Sequence, residues 1–256
     1  MADYEQYYRN LNPEQRQAVD NIDGPVMLVA GPGSGKTQVL SLRIANIIKN
    51  HPDMAGNILA LTYTDAAASN MKDRLGKLVG RAGDQVNITT FHGFCNELIA
   101  TRPDVFLTAR QMSQIDDLGK FSIVREVIAE GEFKELTNIH NPDLYIRDLL
   151  SAISNLKREA ITPEGYRLKV TAAEQYFAEN AEYAAKTGKL KAKWSTLEKQ
   201  IKKNDEFSKI YQQYNERLTT AGLYDYDDMI NFVLSALKQQ PEFLADVQER
   251  YQYILV

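Results

Sequence analysis

The chain is poor in the residues that build covalent or metal-held frameworks. It has one cysteine, Cys95, and three histidines in 256 residues. A single cysteine excludes an internal disulfide and fits a reducing cytoplasm. So few sulfur and imidazole ligands leave little from which to build a structural zinc site. No apolar run approaches the roughly 18 residues of a membrane span. The opening MADYEQYYRN is acidic and tyrosine-rich, unlike a signal peptide. An excess of positive charge is also lacking: 30 Lys and Arg face 34 Asp and Glu, for a net charge of −4. Any contact with nucleic acid must therefore be local. Hydrophobic content of 44% suffices for one large domain or two small ones.

Against these absences, one stretch stands out: Val26 to Thr37, VMLVAGPGSGKT. A short apolar run leads into a glycine-rich loop that closes with Gly35-Lys36-Thr37. This is the layout of a phosphate-binding loop between a buried strand and a helix. Glycines let successive N–H groups turn inward around an anion, and the helix N-terminus adds roughly half a positive charge. Lys36 can reach the outer phosphates, and the Thr37 hydroxyl can ligate Mg²⁺. The full pattern has glycine where this chain has Ala30. A cation at a helix start opposes the dipole unless an anion sits there, which favours the phosphate reading of Lys36 over an accidental turn.

The flanking sequence predicts an α/β fold. Asn12-Pro13-Glu14-Gln15 reads as a helix start with Asn as N-cap and Gln at N3. Pro25 to Ala30 reads as the first strand, and Lys36 to about Asn50 as a helix with Val39, Leu40, Ile44, Ile47 and Ile48 on one face. His51-Pro52-Asp53 breaks it. Asn57 to Thr62 reads as a second strand, followed by a helix to about Val79 capped by Thr64 or Asp65. Val86 to Thr89 reads as a third strand, and Phe91 to Thr101 as helix. Three strand–helix units in a row imply a parallel sheet covered on both faces. From about Thr108 to Thr220 the pattern is helical, punctuated by Pro142 and Pro163. Lys186 to Lys203 holds seven lysines and one glutamate. A helix is expected again from Tyr224 to Gln240-Pro241. Arg250 to Val256 turns into an apolar strand, so the chain reads as cut inside a strand.

Several separated segments resemble one family, the superfamily 1A DNA helicases of the UvrD/Rep/PcrA group. Leu11 to Val19 looks like its Q motif, and Gly31 to Thr37 like motif I. Leu59 to Ala68 (LALTYTDAAA) is similar to motif Ia, and Thr89 to Cys95 (TTFHGFC) to motif Ib. Leu223 to Ile230 (LYDYDDMI) resembles the family's L-D-F-D-D-L segment. Tyr251 to Val256 looks like the strand entering motif II. The resemblance implies a RecA-like P-loop sheet, domain 1A, over residues 1–107 and 219–256. A helical subdomain 1B over residues 108–218 would be inserted into it. It implies ATP and Mg²⁺ as ligands, single-stranded DNA and a duplex junction as partners, and a second RecA-like domain in the parent chain. It also implies 3′ to 5′ movement on DNA, in repair or replication. Motif II and the arginine fingers would lie beyond Val256, so this chain alone is expected to bind nucleotide weakly and hydrolyse little.

The resemblance assigns residues one by one. Lys36 and Thr37 become the catalytic pair, with Thr37 holding Mg²⁺. Gln15, Gly31, Gly33, Ser34, Gly35 and Gln38 join them in binding ATP. Gln15 would read the adenine edge, whose donor and acceptor match an amide; as an N3 residue it would instead close a capping box. Gln38 departs from the arginine often found there, which removes a cationic plane against the base. Tyr63 would stack on a DNA base, a contact of about 1–3 kcal/mol that tolerates any sequence; otherwise it is a boundary aromatic. Thr62 and Thr64 would donate to phosphates or merely cap the next helix. Asp65-Ala66 replaces Asn-Lys, and both changes oppose phosphate binding. Phe91 and His92 are DNA-contact candidates, weighed against structural roles. Tyr226 would approach single-stranded DNA or pack in a core. Asp225, Asp227 and Asp228 read as helix-start acids rather than a metal site. The lysine run is either a solvated helix face or a duplex-backbone contact.

Rival readings remain open. One is the helicase module of a helicase–nuclease. A P-loop kinase for a small molecule would lack the glutamine motif and leave Thr62-Tyr63-Thr64 and Thr90-Phe91-His92 without a job. A non-catalytic DNA-binding module switched by ATP is the third.

Overall fold

The structure, a computed structural model, describes residues 2–185 and 190–256. The chain divides into two compact units. One runs to Val105 and resumes over Leu234–Val256; the other is Phe106–Val233.

The first unit opens with α1 (Ala2–Arg9) and α2 (Pro13–Asp20), followed by α3 (Lys36–Asn50). The pair β1 (Ile58–Thr62) and α4 (Asp65–Val79) comes next, then β2 (Asn87–Thr90) and α5 (Phe91–Thr101). The unit closes with α12 (Pro241–Arg250) and β5 (Tyr253–Leu255). Local chemistry sets the ends. Thr64 and Thr90 cap α4 and α5, their hydroxyls accepting from the N–H groups of Ala67 and Gly93 at 3.2 and 3.1 Å. Pro52 follows α3, and Pro241 occupies the first turn of α12, where its missing N–H costs nothing.

The sheet is parallel, in the order β2-β1-β5. Central β1 is buried along its whole length, as a strand with neighbours on both edges requires. The core joins Ile44, Ile47 and Ile48 of α3 to Ile58 and Ala60 of β1 and Leu75 of α4. Truncating one of these isoleucines or Leu75 to alanine would cost about 2–5 kcal/mol. Helix α1, for which the sequence carried no clear signal, lays Tyr4 onto the same core. Burial there pushes the Tyr4 hydroxyl up to about 12.

One expectation fails. Residues 25–30 form no strand, and Val26, Met27, Leu28 and Val29 are exposed. Their apolar run has strand character, but a strand needs a ladder, and none of the described strands pairs with it. Among the described residues, two strand–helix units and the expected closing strand form the sheet, where three units and that strand were expected.

The second unit holds α6 (Leu107–Arg110), α7 (Asp117–Glu130), α8 (Ile146–Arg158), α9 (Pro163–Ala185), α10 (Leu190–Thr220) and the start of α11 (Tyr226–Gln239). Two short parallel strands, β3 (Ser113–Gln114) and β4 (Leu223–Tyr224), pair within it. Its core joins Val124 and Val127 to Ile146, Ile153, Ile210 and Tyr214. The loop after α7 is pinned by Glu206, whose carboxylate accepts the N–H groups of Lys134, Glu135 and Leu136 at 2.7–3.1 Å. In the lysine run, Lys186 and Lys189 lie outside the described residues, as do the side chains of Lys191 and Lys193. Lys202 pairs with Glu198 one turn away, and Trp194 stacks on Phe177 at 4.7 Å.

Candidate functional site

The glycine-rich loop enters α3 through two left-handed positions, Gly33 at φ 75° and Gly35 at φ 78°. L-residues with side chains rarely adopt them, so the loop needs glycine at both. Helix α3 begins with no side-chain cap and no acid in its first turn. The Gln38 N–H already donates to the Gly35 carbonyl at 2.9 Å, so the N–H groups of Lys36 and Thr37 and the positive end of the dipole are left for an external anion. Lys36, the first residue of the helix, folds back so that Nζ donates to the Gly31 carbonyl at 2.7 Å and to that of Ala30 at 3.3 Å. Ser34 Oγ donates to the same Gly31 oxygen at 2.7 Å. An uncapped helix end, inward-turning glycines and a lysine together form a donor set that suits phosphate.

Gln15 reaches this loop from α2. Its Oε1 accepts from the Asn12 N–H at 3.0 Å while Asn12 Oδ1 accepts from the Gln15 N–H at 2.7 Å, so the capping box is formed. Its Nε2 donates to the Ser34 carbonyl at 3.1 Å. One amide therefore ties the helix start to the loop. Thr37 is exposed and lines a cavity of about 480 Å³ with Tyr7, Asn70, Arg74 and Lys77. Gln38 is half-buried beside it in sequence. Arg74 and Lys77 were missed from the sequence. Their signal was the spacing of Asn70, Arg74 and Lys77 along one face of α4.

The motif Ia and Ib candidates meet at the carboxyl ends of β1 and β2. The register pairs Thr62 with Thr90, so Tyr63 and Phe91 leave the sheet side by side. Their ring centroids lie 5.9 Å apart, tilted by 60°. Tyr63 is 91% exposed; Phe91 and His92 are half-buried. The threonine hydroxyls are engaged locally. Thr62 Oγ1 donates to the Thr64 carbonyl at 3.2 Å, and Thr64 Oγ1 serves as the α4 cap. Tyr63 is the most outward group of this set. Cys95, four residues after Phe91, is buried, and burial pushes its thiol up to about 11. Such a thiol is a packing residue, not a nucleophile.

Tyr226 belongs to the second unit, where it starts α11 and is 49% exposed. The acids around it are all engaged. Asp225 Oδ1 accepts from the Asp228 N–H at 3.1 Å, and Asp228 Oδ2 accepts from the Asp225 N–H at 3.0 Å, the reciprocal cap of a helix start. Between their carboxylates sits Lys157, 3% exposed, with Nζ 2.6 Å from Asp225 and 2.8 Å from Asp228. Tyr214 donates to Asp225 at 3.1 Å, and Ser154 to Asp227 at 2.5 Å. Burial pushes the Asp228 carboxyl up, and the nearby Lys157 ammonium opposes that shift. Lys157 was not foreseen; 68 residues separate it from Asp225, and no spacing rule joins them. Among the described residues no group of His, Cys, Asp or Glu is arranged to hold a metal.

Residues 11–256 match the family described as the UvrD/REP helicase N-terminal domain. The chain belongs to the UvrD/REP helicase family. It is 29% identical over 247 residues to the ATP-dependent DNA helicase PcrA of Staphylococcus aureus, covering 96% of this chain and 29% of that relative. It is 30% identical over 252 residues to the PcrA of Staphylococcus epidermidis, covering 97% of this chain and 29% of that relative. The chain thus spans less than a third of the length of these UvrD/REP relatives. No helix among its described residues is long and apolar enough to cross a membrane.

Proposed function

We propose that this chain is the ATP-binding N-terminal part of an ATP-dependent DNA helicase or translocase. The observation that carries the reading is the uncapped start of α3 behind the loop of Gly31 to Gly35, with Lys36 and Thr37 at its mouth, in a chain of UvrD/REP type. In this reading the sheet unit is a RecA-like domain 1A and the helical residues 108–218 form an inserted 1B. Lys36 leaves the Gly31 carbonyl to hold the β- and γ-phosphates and stabilise their developing charge. Gly33 and Gly35 present backbone N–H groups, Ser34 releases its N–H from the Gly31 carbonyl to join them, and Gln15 and Gln38 would lie towards the base. Thr37 would hold Mg²⁺, which neutralises phosphate charge when bound. Tyr63 and Phe91 offer ring faces to single-stranded DNA, with Thr62, Thr64 and His92 around them and Tyr226 as a further contact. Stacking without base-edge readout suits a motor that steps along any sequence. A second RecA-like domain of the parent chain would close on this one, giving 3′ to 5′ movement in repair or replication in the cytoplasm.

Two titrations test this: a fluorescent ATP analogue with Mg²⁺, and labelled oligo(dT). The chain is expected to bind both, and Lys36→Ala is expected to lose nucleotide while keeping DNA. Nucleotide binding untouched by Lys36→Ala, or no DNA binding at low salt, would overturn the reading. Strong DNA-stimulated hydrolysis by this chain alone would contradict its expected dependence on further residues.

A further inference from the structure

The Lys157 cluster shares no residue with the nucleotide loop or with the aromatics at the ends of β1 and β2, yet it consumes a buried lysine and two aspartates. Its stabilising value is not self-evident. The buried Lys157 and Asp225, with the partly buried Asp228, pay a desolvation cost that apolar residues of the same shape avoid, so such clusters are often matched or exceeded in stability by an apolar trio. Their best-attested service is to fix one geometry among several. The geometry here is that of residues 223–228. Upstream, Leu223–Tyr224 pairs with Ser113–Gln114. Downstream, Asp225 and Asp228 cap each other and grip Lys157, while Asp227 takes Ser154 and Arg158. Asn231 closes the arrangement by donating to the Lys157 carbonyl at 2.9 Å. Within this clamp Asp225 is 5% exposed, whereas its neighbour Tyr226 is 49% exposed.

We propose that Lys157 is a positioning residue that, through Asp225 and Asp228, fixes the first turn of α11 so that Tyr226 presents its ring to single-stranded DNA. This rests on the proposed contact of Tyr226 with DNA. A lysine suits the place because its compact ammonium fits between two carboxylates. The planar fork of arginine does not, so Lys157→Arg keeps the charge but displaces the turn.

The test is a double-mutant cycle on oligo(dT) affinity, read by fluorescence anisotropy, with a thermal melt on each variant. Tyr226→Ala is expected to weaken binding about 5- to 150-fold, the range for loss of one stacked base. Lys157→Met is expected to cause a similar loss, and the double variant to be no more than about twofold worse than either single one. If Lys157→Met does not fold, Lys157→Arg takes its place in the cycle. Additive losses, or a folded Lys157 variant that binds like the parent, overturn the positioning role and leave the Tyr226 contact standing. No loss from Tyr226→Ala removes the contact itself, and the proposal with it.

Discussion

Gln15 sits where two roles compete, and one substitution separates them. Its Oε1 serves the Asn12 N–H, and its Nε2 serves the Ser34 carbonyl. Gln15→Glu keeps the acceptor for Asn12, and a carboxylate near a helix N-terminus suits the dipole. The cap should therefore survive, but the second carboxylate oxygen cannot donate to the Ser34 carbonyl, so the loop tether is lost at about 1 kcal/mol. Gln15→Ala loses the cap contact as well, at about 1 kcal/mol. For ATP the order reverses. An amide can pair with both the donor and the acceptor of the adenine edge, a bidentate contact of about 1–3 kcal/mol, or roughly 5- to 150-fold in affinity. A carboxylate can only accept and is repelled by the adenine acceptor. Gln15→Glu should then weaken ATP by at least as much as Gln15→Ala, although it keeps the cap. Calorimetric titration of ATP and of inorganic tripolyphosphate, beside urea melts, separates base recognition from general repulsion of phosphate. Equal losses for both ligands, or none for ATP, would show that Gln15 is a cap and loop tether and reads no base.

Three further outcomes are expected. Lys36→Ala should weaken tripolyphosphate about 10- to 150-fold, the range for a charge-assisted hydrogen bond, with the melting temperature nearly unchanged because Lys36 is exposed. Tyr63→Ala should lower oligo(dT) affinity about 5- to 150-fold and do so equally for mixed sequences, without loss of stability, since the ring is 91% exposed; a sequence-dependent loss would argue against stacking. Burial raises the Cys95 thiol from 9.0 to about 11, so the folded state holds the proton more tightly than the unfolded one. That contribution is complete below pH 9 and is lost as pH rises to about 11, a fall of about 2–3 kcal/mol. Urea melts at pH 8 and 11 should show this fall in the parent and less of it in Cys95→Ala.

Much of the first unit was legible because local rules agreed with the global fold. Thr64 and Thr90 are good caps ahead of apolar periodicity, and α4 and α5 start directly after them. The apolar face of α3 was readable from the spacing of Val39, Ile44, Ile47 and Ile48, all buried. The misreading of residues 25–30 has a physical source: an apolar run encodes the wish to be a strand, not the presence of a partner. Helix α1 escaped because its contact with the core rests on Tyr4 and Tyr8, two tyrosines in a polar stretch without large aliphatic residues. At the candidate site, the loop glycines, Lys36, Tyr63 and Phe91 were each legible in local sequence, but the meeting of Tyr63 with Phe91 is set by the β1–β2 register. The grip of Gln15 on Ser34 and of Lys157 on Asp225 was not legible there, since both are long-range pairings set by packing.

The pairing of β3 with β4 carries a consequence for how such a chain can be rearranged. The backbone leaves Gln114, builds four helices among the described residues, and returns to lie hydrogen-bonded beside its point of departure. A segment whose two ends meet can be excised and bridged by a short turn, or lifted into another host, with little loop-closure penalty. Residues 115–222 are thus bounded by one doorway: their loops can lengthen while the two framing strands stay paired, as long as Ser154, Lys157 and Tyr214 still meet Asp225 and Asp227.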